Sequence, residues 1–150
     1  MRKRHIVQIL AAILAFSCFS DAKQLAIIAD KGSDTSNVKA ADLINLLSGK
    51  TKVWSDGKAV RVVLRDPSSP DMELVLRRLL NMTADQARSL IHAHPGQFAV
   101  AESDEAVLRM VSSTRGAIGI VDLYSLTKDV NVVKIDGKLP FDTGYLLKGN

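Results

Sequence analysis

Gly116-Ala117-Ile118-Gly119-Ile120-Val121 is apolar at every position. A strand with one wet face alternates apolar and polar side chains. An unbroken apolar run at strand length therefore predicts burial on both faces, as in a sheet covered by helices. Leu25-Ala26-Ile27-Ile28-Ala29 has the same character and predicts a second buried strand.

Between these two runs the period changes back and forth. After the polar loop Asp30 to Asn37, positions 38–47 carry a helical pattern that Gly49 closes. The Asp56-Gly57 turn leads into a strand over 59–64, and 70–81 reads as a helix with Met72, Val75, Leu76, Leu79 and Leu80 on one side. Thr83 caps a further helix to about His92, 98–101 is a short strand, and 103–112 a helix with Val107, Leu108 and Val111 inward. Val130 to Ile135 and Tyr145 to Leu147 read as closing strands on either side of the turn-rich Asp136-Gly137-Lys138-Leu139-Pro140. Strand and helix alternate, so the fold class is α/β, a mainly parallel sheet flanked by helices.

Residues 1–22 read as an export signal: Arg2, Lys3, Arg4 and His5 precede an apolar run from Ile6 to Phe16 that is too short to span a bilayer. Ser20-Asp21-Ala22 offers small residues at a cleavage site, which makes 23–150 the mature domain, periplasmic or secreted, with no membrane span left after cleavage. The alternative is lipidation of Cys18, the single cysteine, with bulky Phe16 sitting badly in the required motif. Without the three basic residues and one acid of 1–22, 17 basic face 15 acidic side chains, a net charge of +2. There is no basic stripe, and aromatic residues are only 5% of the chain, so nucleic acid is excluded as a partner.

In open α/β sheets ligands gather outside the carboxyl ends of strands, where helix N-termini offer free amides. Three junctions qualify: 32–37, 65–71 and 102–105. The second is the richest, with Arg65 at a strand end and the hydroxyls of Ser68 and Ser69 ahead of a helix, a set suited to an oxyanion. Ser36 is a weaker contributor from the first junction. The structural reading stands beside this one: Ser69-Pro70-Asp71 is also an ordinary helix start, and so is Ser103-Asp104-Glu105.

Leu46-Leu47-Ser48-Gly49-Lys50 running into Trp54-Ser55-Asp56-Gly57, the Arg65 to Ser69 turn, and Arg115-Gly116-Ala117-Ile118-Gly119-Ile120-Val121 together resemble the second half of PstS-like periplasmic phosphate-binding proteins. The resemblance implies a periplasmic-binding-protein-like lobe in a short form lacking the N-terminal portion. It implies a non-enzymatic solute-binding module for phosphate or another small oxyanion, with an ABC transporter permease or a sensor protein as partner. Arg65 and Ser69 fall on the family's arginine and serine, while Pro70 and Asp71 stand where it has a glycine and a threonine. The alternative is a periplasmic protein-interaction module that keeps the fold without holding an anion.

No nucleophile elbow, Walker loop, dinucleotide fingerprint or zinc-protease helix occurs, so neither a catalytic residue nor a cofactor is assigned. His92 and His94 have no further ligands at metal spacing. Trp54 is expected to pin its loop to the domain.

Overall fold

The computed structural model describes residues 23–149. The expected signal segment and Cys18 lie outside these residues. The elements in chain order are β1 (Leu25–Asp30), β2 (Asn37–Val38), α1 (Ala40–Leu47), β3 (Arg61–Leu64), α2 (Pro70–Val75), α3 (Ala84–Ala93), β4 (Phe98–Val100), α4 (Asp104–Ser113), β5 (Ala117–Asp122) and β6 (Val130–Ile135). α2 runs on as a π-helical turn, Leu76–Leu80, and a 3-10 turn, Leu123–Ser125, follows β5.

The six strands form one sheet in the order β2-β6-β1-β5-β3-β4. β3 pairs parallel with β4 and β5, and β2 pairs parallel with β6. β1 pairs antiparallel with both β5 and β6, from Leu25↔Asp122 to Asp30↔Val130. Five strands therefore share one direction, and β1 alone runs against them. All six residues of β1 are buried, as are the first five of β5, so both central strands are covered on both sides.

Alternation along β1 sorts the core into two layers. Leu25, Ile27 and Ala29 pack with Leu43, Leu47, Met72 and Val75 of α1 and α2. Ile28 points the other way, with Val107, Leu108 and Val111 of α4. A β-carbon on Gly119 would lie 2.8 Å from both Val107 Cγ1 and Val111 Cγ2, so this glycine lets α4 seat directly on β5.

Local signals set the helix ends. Thr83 Oγ1 accepts from Gln86 N at 3.2 Å and Gln86 Oε1 accepts from Thr83 N at 2.9 Å, a reciprocal cap for α3. Asn81 at φ 48° ends the preceding helix in the left-handed region, which Asn tolerates better than most residues.

Tyr145 to Leu147 is not a strand. This segment instead ties the chain end across the start of β1: Leu25 N donates to Leu147 O at 3.0 Å and the Tyr145 hydroxyl donates to Leu25 O at 2.8 Å. Tyr145 and Leu147 are buried without joining a ladder, and Leu146 is half-buried. Burial pushes the Tyr145 phenol above its ordinary range. The native state then keeps a proton that the unfolded chain releases above about pH 10. Stability should be insensitive to this group below that pH and fall above it, by up to about 1.4 kcal/mol per unit. Urea midpoints from pH 9 to 11 should show the decline, and Tyr145→Phe should flatten it.

Candidate ligand-binding site

The shared direction of β3, β4 and β5 brings their carboxyl ends to one edge, beside the start of β1. Arg65 leaves β3 there, and the next residues close a turn on themselves. Asp66 O accepts from Ser69 N at 2.8 Å and Asp66 Oδ1 accepts from Ser68 N at 2.7 Å. Ser69 is the N-cap of α2, its hydroxyl accepting from Met72 N at 3.4 Å, and Pro70 occupies the first turn. The amides of Ser68, Ser69 and Met72 are thus engaged internally, and Pro70 has none.

Arg65 donates from Nη1 to Asp104 Oδ1 at 2.8 Å, and both side chains are largely covered, 26% and 14% exposed. The other oxygen of Asp104 accepts from Asp122 N at 3.0 Å and from Ser125 Oγ at 2.7 Å. One carboxylate therefore joins the ends of β3 and β5 to the start of α4. Arg65 Nε is buried without an acceptor among the described residues. A buried donor left alone costs about 1–3 kcal/mol, so this guanidinium retains unmet bonding capacity.

Three cations and four carboxylates crowd this end in ion pairs. Lys23 pairs with Asp71, Arg65 with Asp104, and Arg88 with Asp66 and Asp85. Arg88 also donates to the Ser68 hydroxyl. The Lys23 ammonium is held above the ordinary lysine range, first by its hydrogen bond to Asp71. Asp71 lies in the first turn of α2, where a carboxylate complements the helix dipole. The edge is close to neutral, with its positive groups already matched.

Ser36 is not part of this cluster. It precedes β2 at the far edge of the sheet, with β6, β1 and β5 lying between β2 and β3. At about 4.8 Å per strand, four strand spacings put it roughly 19 Å from the Arg65 turn. Ser36 instead lines a separate cavity of about 550 Å³, with Asp30, Trp54 and Gly116. Trp54 pins its loop as expected, Nε1 donating to Gly116 O at 2.9 Å. Arg115 is exposed in the turn before β5. The sequence reading missed Asp104 as the partner of Arg65: two acids after a serine gave the cap, but not which strand end the first would reach. The cap is real, with Ser103 Oγ accepting from Ala106 N at 3.1 Å.

No protein-family model and no curated protein matches the chain. Solved structures do. An ABC-type phosphate transport receptor from Vibrio cholerae superposes with a TM-score of 0.72 at 16% identity, over 85% of this chain and 54% of that one. The fold is that of the PstS-like binding proteins. PstS from Borrelia burgdorferi gives a TM-score of 0.70 at 22% identity, over 86% of this chain and 55% of that one. A phosphate-binding protein from Stenotrophomonas maltophilia gives 0.68 at 20% identity, over 79% and 40%. The chain spans about half the length of the first two PstS-like structures it matches. Among the described residues no helix is long and apolar enough to cross a membrane, and no group of three or more His, Cys, Asp or Glu is placed to hold a metal ion.

Proposed function

We propose that this chain is an exported, non-enzymatic solute-binding module of the phosphate-receptor type. It reads a small phosphate-like oxyanion at the tip of β3, with Arg65 as the central donor, and does so together with a second surface. The observation that carries this reading is Arg65 itself: a mostly covered guanidinium at convergent strand ends, with a donor still unmet. The names of the matched structures, phosphate receptors and binding proteins, support the choice of anion. The need for a second surface follows from the local chemistry. Ser68 and Ser69 amides are engaged, Pro70 has none to give, and Asp104 competes with any anion for Arg65.

In this reading residues 1–22 are removed on export, and the domain 23–150 delivers its solute to a transporter permease or a sensor. Ser68 and Ser69 become hydrogen-bond donors through their hydroxyls once the turn loosens, whereas Ser36 is too distant to join them. A second reading, a protein-interaction module that binds no anion, is favoured by one observation: the Asp71 carboxylate in the first turn of α2, already neutralised by Lys23.

Isothermal titration with phosphate and sulfate separates the two readings. The first predicts saturable heat at a Kd of about 1 mM or weaker for the isolated chain, where binding is worth only about 4 kcal/mol, and its loss in Arg65→Ala. No heat in the wild type or in any Arg65 variant, with the protein folded, would leave the interaction reading in its place.

A further inference from the structure

The cavity beside Ser36 has a chemistry of its own, with carboxylates outnumbering cations in its lining. It is a half-open cavity lined by the 30–37 loop, α1 and the 51–58 segment, and its volume of about 550 Å³ falls within the roughly 300–1,000 Å³ of small-molecule sites. At its base lies Asp30, the last residue of β1, only 5% exposed. Asp30 Oδ1 accepts from Gly116 N at 3.2 Å, while Oδ2 receives no donor among the described residues. With no protein donor on it, that second oxygen is free to accept from a guest that enters the cavity.

The rest of the lining indicates what that something is. Asp34 and Asp42 line the same cavity, and Lys58 is engaged by Asp56 at 3.0 Å, which leaves Lys39 as the unmatched lining cation against three carboxylates. Trp54 has its N–H committed to Gly116 O, so the indole offers the cavity its ring rather than a donor. Carboxylates around an aromatic ring suit a cationic guest, attracted by the anions and by the ring quadrupole. Serine and threonine hydroxyls at 33, 35 and 36 supply neutral acceptors around the rim.

We propose that this cavity is a second binding site, for a small organic cation bearing a primary ammonium or guanidinium group, with Asp30 as its buried anchor and Trp54 as its aromatic wall. The site is independent of the strand tips and of the anion reading. It lies at the opposite end of the sheet from Arg65, where Asp30 ends β1 and Gly116 precedes β5, whereas Arg65 follows the end of β3.

The chain contains one tryptophan, so its fluorescence reports on this cavity alone. Purified protein is titrated with putrescine, ethanolamine and arginine, with inositol as a neutral polyol and phosphate as an anion. The expected result is a saturable change in Trp54 emission with at least one cation and none with inositol or phosphate. Asp30→Asn should weaken that response by at least about tenfold, the effect of losing a charge-assisted hydrogen bond. Because Asp30 is buried, Asp42→Asn on the exposed rim serves as the second variant, weakening binding about two- to fivefold with the fold intact. Arg65→Ala should leave the response unchanged. A flat titration with every cation in folded protein, or a response to inositol equal to that of the cations, would overturn the proposal.

Discussion

Gly116→Ala is expected to destabilise the protein by about 3 kcal/mol or more, a large part of the 5–15 kcal/mol that holds a domain of this size. Two effects add. Gly116 sits at φ +78°, in the left-handed region, where an alanine costs about 1 kcal/mol. Its β-carbon would also lie 2.4 Å from Ala59 O, a backbone atom with no rotamer to yield. Relief would have to move the 59–61 backbone, which is tied to this residue through the Arg61 N to Gly116 O bond at 3.1 Å. The same residue receives Trp54 Nε1 on its carbonyl and donates its amide to Asp30. Gly57→Ala provides the internal control: its φ is +85°, yet nothing lies within 4 Å of the added carbon, so only the conformational penalty of about 1 kcal/mol remains. Urea unfolding of both variants should show this difference.

The second large effect is at Asp104. Asp104→Ala removes the partner of Arg65 and the acceptor of Asp122 N and Ser125 Oγ in one step. Breaking a buried pair from one side costs about 3–5 kcal/mol because it strands the remaining charge. Arg65 keeps 26% exposure, so water takes up part of the loss, and about 2–4 kcal/mol is expected. Lys23→Met offers the contrast: its side chain is 51% exposed, and loss of its pair with Asp71 should cost about 1 kcal/mol or less. A denaturation series in which the two variants behave alike would contradict the assignment of Asp104 as the joint of the strand tips.

Much of the fold was legible because its signals are local and redundant. The apolar runs at β1 and β5, the helical period of α1, and the caps at Ser69, Thr83 and Ser103 each follow from a few neighbouring residues. The direction of β1 was not legible, since a strand buried on both faces has the same pattern whichever way it runs. Nor was β2: two residues, Asn37 and Val38, carry no period, and they form a strand only because the end of β6 lies beside them. Tyr145 to Leu147 misled for the converse reason, being apolar without pairing as a ladder.

The site divides along the same line. Arg65 and Ser69 could be placed at a strand end and a helix start from sequence, and that is where they are. Their usefulness to a ligand turns on Asp104, 39 residues further on, and on Asp66, whose oxygens close the turn. Grouping Ser36 with them required the order of strands in the sheet, which no local pattern carries. The pairing of Asp30 with Gly116 spans 86 residues and was equally out of reach.

The central claim is that Arg65 is the anion-reading group and that Asp104 holds it back. Asp104→Asn tests this with little change of shape. Its amide oxygen can keep the bonds from Asp122 N and Ser125 Oγ, which turns its NH₂ toward the Arg65 guanidinium, and two donors then face each other across a gap that an anion would bridge. Calorimetric titration of phosphate into Asp104→Asn should give binding at least about tenfold tighter than wild type, the value of one charge-assisted hydrogen bond regained. Affinity unchanged or weaker in this folded variant would contradict the account.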